Sequence, residues 1–118
     1  MSGLLARDRP LVDLRTYTIR PRGMPEFLAV FDRLAMPVLL RTIGTPIGFY
    51  TSLVGPLNQV VHLWAYEGLA DYEERSGRRD RDPDWPAYLS ASGHLIVAQE
   101  TRLLRAAGMP SLDSGRSA

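Results

Sequence analysis

The chain contains no cysteine and no lysine. Without cysteine there are no disulfides, no thiol nucleophile and no thiolate-held zinc or iron–sulfur cluster. Without lysine there is no Schiff-base catalysis and no P-loop phosphate clamp. All 14 basic residues are arginines, charged at any working pH. Histidine is reduced to His62 and His94, and neither His-x-x-His nor His-Glu-x-x-His spacing occurs, so no metal site and no bound cofactor are expected. Gly-x-Gly-x-x-Gly and Gly-x-Ser-x-Gly are also absent, which removes the Rossmann and hydrolase-elbow readings. No apolar run approaches the roughly 18 residues of a membrane helix. No long apolar stretch follows the first basic residues, so the chain is expected to carry no signal peptide, to be cytoplasmic and to have no membrane partner. Thirteen acids against 14 arginines leave a net charge of +1, and nucleic acid is not an expected partner.

What remains is an ordinary globular composition, 45% apolar and 23% charged in 118 residues, enough for one domain with one core. Residues 11–105 carry all the periodic signals, and loosely held termini are expected at 1–10 and 106–118. Leu11–Ile19 (LVDLRTYTI) is rich in β-branched and aromatic residues and predicts a strand. Phe27, Val30, Phe31 and Leu34 repeat at helical spacing behind Pro25, with Pro37 placed to kink the helix and Gly44 to stop it. Gly48–Val54 and Gln59–Tyr66 flank the turn residues Gly55-Pro56-Leu57-Asn58 and predict a hairpin. A charged helix is expected over Glu67–Arg79, held by Leu69 and Tyr72. A short helix over Trp85–Ser92 follows, then a last strand over Leu95–Leu104. The order β-α-β-β-α-β, with a helical extension, is the α+β ferredoxin-like arrangement: one antiparallel sheet with helices on one face. The other face would be bare, and a second copy of the chain is its simplest cover.

Two segments carry a closer resemblance. LRTYTIRPRGMPEFL (Leu14–Leu28) and GFYTSLVGPLNQVVHLWAYEGLADYEER (Gly48–Arg75) resemble the signatures of the NIPSNAP family, and DPDWPAYL and QETRLL resemble its C-terminal half. The resemblance implies a dimeric α/β-barrel of two ferredoxin-like protomers, and the chain looks like a bacterial single-domain member. Barrels of this type include cofactor-independent monooxygenases, haem-degrading enzymes and isomerases, an analogy of fold alone.

Alternation places Val60, His62, Trp64 and Tyr66 on one face of the third strand. His62 there is either a general acid or base in an aromatic-walled pocket or a structural histidine bonded to a fixed partner. Arg15 and Tyr17 share a face of the neighbouring first strand. They either hold a substrate carboxylate and a developing oxyanion, or form an internal pair with Asp13 or Glu100 and interface packing. Asn58 reads as turn chemistry or a ligand-holding amide, Tyr50 and Trp85 as cavity lining or plain core, and Gln99 as a polar group on the last strand. The expected function is a small-molecule enzyme acting on an aromatic or polyketide-like carbonyl compound by isomerisation, cyclisation or cofactor-free oxygenation. The alternative is a non-catalytic ligand-binding or protein-interaction module. A haem-binding reading would need one histidine as an iron ligand.

Overall fold

A computed structural model describes residues 9–111. Four strands, β1 (Leu11–Ile19), β2 (Gly48–Thr51), β3 (Gln59–Tyr66) and β4 (Ile96–Arg105), form one antiparallel sheet in the order β2-β3-β1-β4. Helices α1 (Met24–Val30), α2 (Met36–Thr42), α3 (Leu69–Arg81) and α4 (Trp85–Ser92) complete the ferredoxin-like α+β fold. The strands β1 and β3, each with four or more β-branched or aromatic residues, take the centre, where each pairs on both sides.

Registration fixes what faces the helices. Opposite residues of an antiparallel pair share a face, so one row across the sheet reads Phe49, His62, Arg15, Thr101. The next reads Thr51, Val60, Tyr17, Gln99. The core lies between these rows and the helices and is built from Ile19, Phe27, Phe31, Val60, Trp64, Tyr66 and Tyr88.

Pro37 does more than kink. A five-residue π-helical segment, Phe31–Ala35, joins α1 to α2, and the Met36 N–H reaches the Phe31 carbonyl five residues back. Proline has no N–H for the carbonyl four residues before it and crowds that turn, so the helix widens there. Phe31 lies at the widening, with its ring 5.6 Å from His62 and 5.4 Å from Tyr88. Gly44 ends α2 at φ 116°, its N–H closing on the Leu39 carbonyl at 2.8 Å.

Three expectations need correction. β2 stops at Thr51 rather than Val54, because its pairing with β3 ends at Thr51 opposite Val60 and the chain beyond turns out into solvent. α3 runs from Leu69 to Arg81, later than expected, and Leu69 is 67% exposed rather than a core contact. Pro10 and Ala106 are not loose: the Ala106 N–H donates to the Pro10 carbonyl at 2.7 Å, extending the β1–β4 ladder by one step. The rest of the expected loose ends, 1–8 and 112–118, lies outside the described residues. Among the described residues no helix is long and apolar enough to cross a membrane.

Candidate functional site

Between the sheet and α4 lies a cavity of about 360 Å³. Seven of the nine residues singled out in the sequence line it: Arg15, Tyr17, His62, Trp64, Tyr66, Trp85 and Gln99. They come from β1, β3, β4 and the start of α4, brought together by the sheet order rather than by nearness in sequence.

Two residues do not join them. Tyr50 alternates onto the open face of the sheet and is 58% exposed. Asn58 occupies the hairpin turn at φ 62°, and its carbonyl accepts the Ile19 N–H at 2.7 Å. That is a backbone role, in a conformation asparagine tolerates better than most residues. His94 forms a surface pair with Glu26 at 3.2 Å, far along the chain from the His62 strand. Among the described residues no cluster of three or more His, Cys, Asp or Glu side chains could hold a metal ion.

His62 is 1% exposed and enclosed by rings. Phe49 stacks on it at 4.7 Å, and Tyr17 meets it edge-on at 4.7 Å. The Trp64 indole donates to its Nδ1 at 2.8 Å. An indole N–H can only donate, so Nδ1 is the acceptor and the neutral ring carries its proton on Nε2. Nε2 is buried with no partner. Burial, reinforced by the nearby Arg15 charge, pushes the imidazole pKa down to about 3, so the ring is neutral at pH 7. The site thus holds a buried, neutral, unpaired N–H donor.

Arg15 lies across the strand pair from His62. Its Nε donates to Asp13 at 3.0 Å and its Nη2 to the Tyr72 hydroxyl at 3.4 Å. Burial disfavours its charge, but Tyr17 and Asp13 outweigh that and raise its pKa further, so it is a permanent cation. Asp13 is fully buried, and its second oxygen has no partner. Burial lifts its pKa above the usual carboxylate value, with Arg15 pulling the other way. Of the pairings expected for Arg15, the Asp13 one forms. Glu100 lies opposite Thr16 on the other face.

Sequence reasoning missed Arg79 and Tyr88, both in the cavity wall. Arg79 lies at the end of the charged helix expected over Glu67–Arg79, among neighbouring charges that do not set it apart. The available signal was spacing: Tyr72, Ser76 and Arg79 fall at i, i+4 and i+7 on one face of α3. Trp85, Tyr88 and Ser92 similarly share a face of α4. Burial pushes the Tyr88 and Tyr66 phenols up, so both remain protonated donors.

The NIPSNAP family model matches residues 12–110. A NipSnap homolog of Dictyostelium discoideum is 33% identical over 102 residues, 84% of this chain and 44% of that protein. The chain spans less than half the length of the curated relatives it matches. Among solved structures, a NIPSNAP family protein of unknown function from Agrobacterium tumefaciens superposes with a TM-score of 0.80 at 29% identity, covering 85% of this chain and 90% of that one. A NIPSNAP-like protein from Burkholderia xenovorans gives 0.78 at 34% identity, covering 86% and 87%. A more distant likeness, to a protein assigned to antibiotic-biosynthesis monooxygenases in Caulobacter crescentus, has a TM-score of 0.58 at 17% identity over 86% and 93% of the chains, and shows shared fold alone. The match over nearly all the described residues, with the sheet order and the intact GPLNQVVHLWAYE segment, makes this chain a member of the NIPSNAP family.

Proposed function

We propose that the cavity binds a small cyclic or aromatic carbonyl compound and stabilises its enolate oxygen. The observation that carries this reading is the fixed tautomer of His62. With Nδ1 held by Trp64, the ring offers Nε2–H as a neutral donor beside the permanent cation of Arg15. That pair stabilises negative charge developing on an oxygen. It does not suit general base catalysis, because Nδ1 is occupied and the pKa lies near 3. The acid–base role expected of His62 therefore gives way to hydrogen-bond donation.

Among the described residues no carboxylate lines the cavity. The substrate must then bring its own acidity, as a β-dicarbonyl or an electron-poor phenol does. Such enolates tautomerise, cyclise or react with dioxygen without a cofactor. The same inventory also suits a binding site that performs no chemistry, the second reading.

The test uses 2-methylcyclohexane-1,3-dione, followed by proton–deuterium exchange, and anthrone, followed by oxygen uptake. The wild-type chain should accelerate one of these. His62→Gln, which keeps both an acceptor for Trp64 and a donor, should retain activity within about tenfold, while His62→Ala loses about 100-fold or more. Equal loss in both variants would return His62 to proton transfer. Saturable binding without acceleration would favour the non-catalytic module.

We also infer that a second copy of the chain covers the open face of the sheet. That face carries Val12, Leu14, Val61 and Leu63, all half-buried, and runs toward a turn where Leu53, Val54 and Leu57 are 91%, 90% and 71% exposed. Glu100 and Arg102 stand on the same face one pleat apart, so a two-fold axis would bring each toward its opposite charge. Sedimentation equilibrium should give a dimer that Leu14→Asp dissociates; a wild-type monomer would remove the barrel.

A further inference from the structure

The cavity wall carries two arginines, and they are not equivalent. Arg15 is already matched, with Asp13 at 3.0 Å and fully buried. Arg79 is paired only at Nε, with Asp80 at 3.0 Å, its neighbour in the chain. The Asp80 side chain is 60% exposed, so solvent screens most of that attraction. The Arg79 side chain itself is 16% exposed, with its guanidinium carbon 5.5 Å from the centre of the Trp85 ring. Among the described residues its hydrogen bonding stops at Nε, which leaves Nη1 and Nη2 available. The buried Asp13 carboxylate also attracts Arg79 but makes no hydrogen bond to it, and no acid lines the cavity, so this largely buried cation against an aromatic wall is only partly compensated.

We propose that the ligand of this cavity carries a carboxylate, held by Arg79, next to a ring system that packs on Trp85 and Tyr88. This rests on the reading of the cavity as a small-molecule site and adds the chemical class of what enters it. A guanidinium edge matches a carboxylate in two parallel hydrogen bonds. A partly compensated positive charge matches a monoanion better than a phosphate dianion, whose second negative charge would have no partner. The volume, about 360 Å³, accommodates one or two fused rings with their substituents. Arg79 is thus a specificity-determining residue, separate from the His62 and Arg15 pair that faces the reacting oxygen.

The test compares 2-naphthoate, 2-naphthamide and 2-naphthyl phosphate binding to the full chain by calorimetry. The two tryptophans of the chain, Trp64 and Trp85, both line the cavity, so their indole N–H resonances locate the bound probe. Naphthoate should shift the Trp85 signal and bind at least about tenfold more tightly than the isosteric amide, the difference expected of a charge-assisted pair. Arg79→Gln should bring the two affinities together, while Arg33→Gln, on the exposed side of the π-helical segment, keeps them apart. Circular dichroism confirms that both variants are folded. The proposal is overturned if the amide binds as well as the acid, if Arg79→Gln keeps the preference, if the phosphate ester binds most tightly, or if naphthoate does not saturate by millimolar concentration. His62→Ala separates the two readings. It should abolish enolate chemistry yet leave the acid-over-amide preference intact, so either claim can fail alone.

Discussion

On the helix-covered face of the sheet, β1 and β3 place Asp13, Arg15, Tyr17, His62, Trp64 and Tyr66; on the open face the same strands place Val12, Leu14, Thr16, Val61, Leu63 and Ala65. Both sets are spaced two residues apart on the same two strands. One contains an ion pair, an imidazole and three large aromatics. The other contains aliphatics and a threonine. A side chain's partners explain the contrast. Polar groups on the covered face are held by fixed neighbours: Asp13 by Arg15, His62 by Trp64. The open face has no such lattice, and its side chains are mostly half-buried aliphatics. Removing one of these partners leaves a further buried polar group unpaired, so substitutions on the covered face should cost far more than those on the open one.

The largest expected effect is at Asp13. Asp13→Ala strips Arg15 of its buried counter-charge and should destabilise the fold by about 3 kcal/mol or more, read by urea unfolding. A loss as small as that from an open-face substitution such as Thr16→Ala would erase the contrast. Trp64→Phe comes next. It leaves His62 Nδ1 without its donor and should cost about 1–3 kcal/mol. It should also free the tautomer, so that ¹⁵N shifts of His62 report a mixture instead of one form.

The pH dependence is the third. His62 has a folded pKa of about 3, below the ordinary histidine value. Between the two values the unfolded chain binds a proton that the folded chain does not, so stability falls as pH is lowered from about 6.5. Asp13 acts with the opposite sign. Its raised pKa lets the folded chain take up a proton first, which offsets part of the loss at the acid end. Unfolding at pH 7 and pH 5 should show a loss of about 1–2 kcal/mol, and His62→Gln should remove most of it. The smallest effect belongs to the residues that fell outside the cavity. Tyr50→Ala should leave naphthoate affinity unchanged, and Asn58→Gly should change stability by less than about 0.5 kcal/mol, since glycine accepts the same positive φ.

How much was legible follows from the kind of signal. Strand parity grouped His62, Trp64 and Tyr66, and separately Arg15 and Tyr17, because alternation is a property of the strand alone. The ferredoxin-like order then set β1 beside β3, which left Arg15 or Tyr17 to face His62 or Trp64; the register that pairs Arg15 with His62 came from the structure. Tyr50 was misplaced because its strand was known but its register was not, and one step of register changes the face. Asn58 was ambiguous because a turn residue and a ligand amide look identical until the φ angle and the backbone partner are seen. Arg79 disappeared among neighbouring charges, since composition cannot tell which face of a charged helix is covered.

The sequence by itself determined the elements, their order, the proline and the glycine, Pro37 and Gly44, that kink and stop the first helical stretch, and the absence of thiol and lysine chemistry. These follow from local sterics and from which functional groups exist at all. Only the tertiary structure decided which histidine nitrogen carries the proton, which arginine is already paired and which is not, and where the cavity lies. Those depend on residues brought into contact from distant parts of the chain, and protonation and pairing are properties of the contact, not of either residue.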